Sequence, residues 1–209
     1  MTEPTKRRRV RKSLVFGAAV AAGAIAVLIA YLLGAFEKRQ HIEADEICQH
    51  VPDRQKVAKV FNSTLHRSSK YDFEGTWRPE RDWEFRSTCF AIGDDDKALF
   101  SLTAEMSSAR PWQQWAKSET PRNDGGKISY FNAGLKGVSN AEVAAIWVPC
   151  YAHEKTSKQP WNMTVFALAL KPLEASDKEA RQTLIDLATS FARQAHKDAE
   201  CDLPSKLPS

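Results

Sequence analysis

Leu14 to Phe36 is an unbroken run of 23 residues without a charge, and Lys6-Arg7-Arg8-Arg9-Val10-Arg11-Lys12 stands just before it. A helix rises about 1.5 Å per residue, so the run reaches roughly 35 Å, enough to cross a hydrocarbon core of about 30 Å. Lipid offers the backbone no hydrogen-bond partners, which makes helix the expected conformation. The basic residues precede the run, whereas the stretch after it turns acidic at Glu43, Asp45 and Glu46. The positive-inside bias then expects a cytosolic N terminus and an extracellular C-terminal domain, in a single-pass protein of the cell membrane. The expected organisation is a basic tail over 1–13, a transmembrane helix over 14–36 and a polar stalk over 37–47. An extracytoplasmic domain over 48–201 and a flexible tail over 202–209 complete it.

A cleaved secretory signal is the alternative reading of the run. Signal apolar regions are usually about 7–15 residues and end in a small-x-small site. This run is longer, and Leu33-Gly34-Ala35 places leucine where a small residue is preferred. Gly17 with Ala21, and Ala19 with Gly23, are small residues four apart, a spacing that lets two helices approach closely. Homo-oligomerisation through the span is the corresponding expectation, although anchors are rich in Ala and Gly in any case.

The net charge of +4 belongs to the tail. Of the 30 basic and 26 acidic residues, six and one fall within residues 1–36, which leaves 24 basic against 25 acidic beyond them. A near-neutral domain without a clustered basic patch excludes a nucleic-acid surface. All four cysteines, Cys48, Cys89, Cys150 and Cys201, lie beyond the run, where an oxidising compartment lets disulfides persist. Four cysteines allow three connectivities. Cys48 precedes a predicted helix and Cys89 sits in a predicted strand; Cys150 sits in a strand and Cys201 follows a helix. Pairing Cys48 with Cys89 and Cys150 with Cys201 would tie one helix end to one strand in each half. Zinc is the competing use of cysteine, but the close C-x-x-C pairs of structural zinc sites are absent.

Apolar residues Val57, Val60, Phe61 and Leu65 recur at helical spacing after Pro52. A polar, aromatic-dotted loop is expected over RSSKYDFEGTWRPERD. Alternation around Cys89 and over 97–106, joined by Gly93-Asp94-Asp95-Asp96, predicts a β-hairpin. Ser108 to Glu119 reads as a short helix with Ser108 as its cap. A short strand over 127–131 and a second hairpin, 143–152 with 161–170, follow. Pro149 lacks a backbone donor, which predicts a sheet edge or a bulge there. Ser176-Asp177-Lys178-Glu179 is a capping box opening a helix with Ala180, Leu184, Leu187, Ala188, Phe191 and Ala195 on one face. The order of elements predicts an α+β domain, an antiparallel sheet packed on helices.

Catalytic signatures are missing from the sequence. The five histidines, His41, His50, His66, His153 and His196, share no short ligand spacing and read as surface residues. There is no G-x-S-x-G elbow, S-x-x-K, P-loop or Rossmann glycine pattern. No cofactor and no metal are expected, and Asp94-Asp95-Asp96 reads as turn chemistry before it reads as a calcium site. Asn62-Ser63-Thr64 and Asn162-Met163-Thr164 match the glycosylation pattern but fall inside a predicted helix and strand. Of six tryptophans, Trp83, Trp147 and Trp161 are expected in strands, serving the core. Trp112 and Trp115 either pack under loops or line a groove. Tyr71, Trp77, Arg78 and Arg81 mark the expected binding surface.

Cys48 before a helix, Cys89 in a strand, G-L-K-G-V-S-N-A-E-V before W-V-P-C at 147–150, and A-R-Q-T-L-I-D-L-A-T-S-F-A followed by Cys201 carry a resemblance over roughly 48–201. In these features the chain resembles the functionally uncharacterised membrane-anchored or secreted extracytoplasmic proteins of actinomycetes. The resemblance implies an envelope location, a bacterial source and two helix-to-strand disulfides, and it brings no catalytic residues. The functional expectation is a non-enzymatic binding module for an envelope protein, peptide or cell-wall component. The alternative is an envelope hydrolase whose site the sequence does not display.

Overall fold

The computed structural model describes residues 39–79, 82–94, 96–108, 110–118, 128–152 and 160–208. The expected tail and transmembrane helix, together with Arg81 and His153, lie outside the described residues. Among the described residues no helix is long and apolar enough to cross a membrane.

The chain from Arg39 onward forms a compact α+β unit. Its elements are α1 (Arg54–Thr64), β1 (Asp72–Arg78), a 3-10 turn (Asp82–Glu84), β2 (Arg86–Ile92), β3 (Ala98–Ser108) and α2 (Trp112–Ser118). Then come β4 (Ser129–Asn132), β5 (Lys136–Ser139), β6 (Val143–Tyr151), β7 (Trp161–Ala169) and α3 (Asp177–Asp198). Seven strands make one sheet in the order β1-β2-β3-β7-β6-β5-β4, every pair antiparallel. Each half of the chain builds a meander, and the last strands of the two meanders, β3 and β7, meet in the middle.

Side chains alternate between the two sheet faces. On one face Cys89, Ala91, Phe100, Leu102, Ala104, Ile146, Val148, Met163, Val165 and Ala167 form the main core with α1 and α3. Phe61 of α1 stands edge-on to Phe100 with ring centres 5.0 Å apart and stacks on Phe73 at 6.0 Å. The buried stripe of α3 includes Ala180, Leu184, Leu187, Ala188, Phe191 and Ala195, and its capping box forms as expected, with Ser176 and Glu179 bonding each other's backbone. The opposite face holds a smaller cluster, Trp115, Val138 and Ala145, beneath α2. Both expected disulfides are present, Cys48–Cys89 and Cys150–Cys201.

Several expectations are corrected. Residues 39–47 are not a free stalk: Ile42 and Ile47 are fully buried, and Asn62 clasps Ile42 by accepting from its N–H and donating to its carbonyl. Arg39 donates to the carbonyls of Phe61 and Leu65 at the C terminus of α1, where the Phe61 carbonyl also accepts the Leu65 N–H. Spaced apolar residues among many charges gave no sign of this. Residues 202–208 are not loose either. Leu203 N–H bonds the Cys150 carbonyl at 3.0 Å, and Leu207 packs on the main core.

The loop expected over residues 67–82 contains β1 instead. An edge strand with one covered face shows little apolar alternation, and only its first two residues are half-buried. Gly75 is required there, because a Cβ would meet the Thr88 carbonyl and would sit 3.1 Å from Cys48 Sγ. Ser108 ends β3 and does not cap α2, which starts after Pro111. Trp83 lies in the 3-10 turn, 58% exposed, and serves no core. Pro149 meets its expectation through the bulge: β6 has neighbours on both sides in the sheet, and the strand bulges between Pro149 and Tyr151. Of the turn aspartates, Asp94 accepts from the Ser69 N–H and hydroxyl, and these bonds hold its carboxyl below the usual range.

Candidate functional site

The residues expected to form a binding surface do not converge. Tyr71 is buried, its hydroxyl donating to the His66 carbonyl and accepting from the Ser68 N–H. Trp77 and Arg78 are adjacent on β1 and therefore point to opposite sheet faces. Trp77 is 52% exposed on the helical side. Arg78 joins Trp83, Glu84, Phe85, Arg86, Glu105 and Met106 around a shallow depression of about 290 Å3. Inside it Arg86 is held by Glu105 across the β2–β3 pair at 2.7 Å.

The larger feature is a groove of about 610 Å3 towards the opposite end of the sheet. Three parts of the chain build it. The first is α2, anchored through Trp115, whose indole N–H donates to Thr164 Oγ1 at 2.9 Å. This bond fixes the helix and leaves Trp112 half-exposed at the groove, edge-on to Tyr130 with ring centres 5.3 Å apart. The second part is the β4–β5 turn with β6, supplying Asn132, Leu135, Lys136, Trp147 and Pro149. The Lys136 ammonium stands 4.9 Å from the Trp112 ring centre, a cation–π contact.

The third part is the C-terminal segment, supplying Leu203, Pro204 and Lys206. The Cys150–Cys201 bond starts it, and His196 Nε2 meets the Leu203 carbonyl at 3.0 Å. Burial lowers the pKa of His196, only partly offset by the Leu203 carbonyl. Gly134, with φ +75°, leaves the space into which the Lys206 carbonyl fits. The groove walls are thus mainly apolar and aromatic, with exposed Lys136 and Lys206 bordering them. The Trp147 indole N–H is shielded from solvent and has no partner among the described residues. Such a donor is costly unless something accepts from it.

The two roles that the sequence left as alternatives for Trp112 and Trp115 are divided between them, Trp115 in the core and Trp112 at a groove. Trp147 and the tail were missed as groove walls. The prolines, Pro149 and Pro204, flanking the second disulfide were the available signal. Two histidines are not simple surface residues, since His50 Nε2 meets the Thr88 carbonyl at 2.9 Å and His196 meets Leu203. His41 lies in the open, 3.7 Å from Glu43. Among the described residues no cluster of three or more His, Cys, Asp or Glu is placed to hold a metal. No protein-family model, curated protein or solved structure matches this chain.

Proposed function

We infer that this chain is a single-pass membrane-anchored protein of the actinomycete type whose extracytoplasmic domain is a binding module, seating an acidic peptide segment of an envelope partner in the aromatic groove. The groove carries the reading. Its Trp112, Trp147, Pro149 and Pro204 walls suit the apolar bodies of peptide residues, since rigid rings bind with little ordering cost. Lys136 and Lys206 supply complementary charge. The anchor reading rests on the uncharged run and its basic flank, and the two disulfides fit an oxidising compartment.

The test is a fluorescence titration of the full chain in lipid nanodiscs, reading its tryptophans, with Glu-Pro repeat peptides against Lys-Pro repeats. Saturable quenching by the Glu-Pro peptide, lost in Lys136→Glu/Lys206→Glu, is the expected result. Equal response to both peptides, or to neither, overturns the reading.

A further inference from the structure

β1 forms one outer edge of the sheet and pairs only with β2. From Glu74 to Arg78 it is exposed. The Thr76 N–H turns inward and donates to Thr88 Oγ1 at 3.0 Å. Backbone direction alternates along a strand, so Phe73, Gly75 and Trp77 turn their N–H and C=O groups outward. A row of that kind is a template for another strand.

The order of side chains along this edge is complementary to itself. Antiparallel pairing with an identical strand, centred on Gly75, sets Asp72 opposite Arg78, Phe73 opposite Trp77, and Glu74 opposite Thr76. The two aromatics share the helical face, and the two charges share the other. Trp77 is among the most exposed large apolar residues described, and Phe73 is half-buried beside Phe61. Arg78 has no ion pair among the described residues. The residue opposite it on β2 is Arg86, already held by Glu105. Asp72 is half-exposed and uses Oδ2 for Lys70, at 2.5 Å, leaving Oδ1 for a second cation.

We propose that β1 pairs with β1 of a second copy, antiparallel about Gly75, joining the two seven-stranded sheets edge to edge. A two-fold axis perpendicular to the sheet makes each Asp72–Arg78 and Phe73–Trp77 contact twice. The glycines meet at the axis, where no side chain intervenes. Arg39 binds the end of α1, on the helical side, and this axis leaves both Arg39 residues on that one side.

Sedimentation of the full chain in detergent, over a concentration series, tests the pairing. Asp72→Arg and Arg78→Asp each create two like-charge contacts per dimer and weaken association about 10- to 30-fold. The combined variant exchanges the charges and recovers wild-type association to within about threefold. Arg78 is exposed and Asp72 half-exposed at the sheet edge, so the fold tolerates the changes. As a second reading, Glu74→Cys chains mixed with Thr76→Cys chains, which face each other in a close non-hydrogen-bonded pair, form a mixed disulfide dimer. A monomer at tens of micromolar, association indifferent to either single swap, failure of the combined variant to recover, or absence of the mixed disulfide overturns the proposal. Association through the uncharged run alone gives the second of these outcomes.

Discussion

Replacing Cys48 and Cys89 together by alanine tests how the domain is held. The bond joins residues 41 apart and closes a loop that contains α1 and β1. In the chain-entropy model, closing a loop of that length removes about 4 kcal/mol of denatured-state freedom. The Cys150–Cys201 bond, with a separation of 51, contributes about the same. Domains of this size are stable by only about 5–15 kcal/mol, so one bond is a large share and the pair is most of it. Cys89 is 4% exposed, and losing its sulfur leaves a small gap in the core that adds to the cost. Urea unfolding followed by tryptophan fluorescence reads the effect. With a slope of about 2 kcal/mol/M, the C48A/C89A midpoint falls by roughly 2 M, and reduction of the wild-type protein takes both bonds away and lowers it further. A midpoint shift under about 0.5 M at unchanged slope would refute the loop-closure account. Four thiols titrating in the native protein would go deeper, removing both bonds and the support they give to an oxidising compartment.

Trp115→Phe deletes the indole N–H that bonds Thr164 and opens a small gap under α2, costing about 1–3 kcal/mol by denaturant unfolding; unchanged stability would mean the bond does not fix the helix. Gly134→Ala forces a side chain into left-handed backbone and against the Lys206 carbonyl. The C-terminal segment is displaced, and trypsin cleaves after Lys206 at least several-fold faster than in the wild type; equal rates contradict the packing described. For His196, burial depresses the folded pKa below the ordinary 6.5, so the unfolded chain binds the proton more readily. The neutral ring's contribution is complete above pH 6.5 and declines as pH falls from there through the folded value. A stability profile that keeps the same slope between pH 7 and 5 in His196→Gln contradicts this. Ser176→Ala removes half of the capping box of α3 and lowers stability by about 1 kcal/mol, read as a shift in the thermal midpoint.

Local patterns in the sequence determined the helices α1 and α3, the two hairpins β2–β3 and β6–β7, and the capping box. Each is announced within a few residues, by apolar periodicity or by a cap. The uncharged run sets the expected topology in the same local way. What required tertiary structure is whatever depends on a distant neighbour. β1 is a strand because β2 lies beside it, although its own residues are mostly exposed. Residues 39–47 and 202–208 look like linker and tail, but Ile42 and Leu207 find cover contributed by elements elsewhere in the chain. The groove is the clearest case. Trp112, Lys136, Trp147 and Pro204 span nearly a hundred positions, and only the order of the strands, with the Cys150–Cys201 bond drawing the C terminus against β6, makes them one surface. Periodicity reports which face of an element is apolar, while the partner that covers that face is chosen by the packing of the whole sheet.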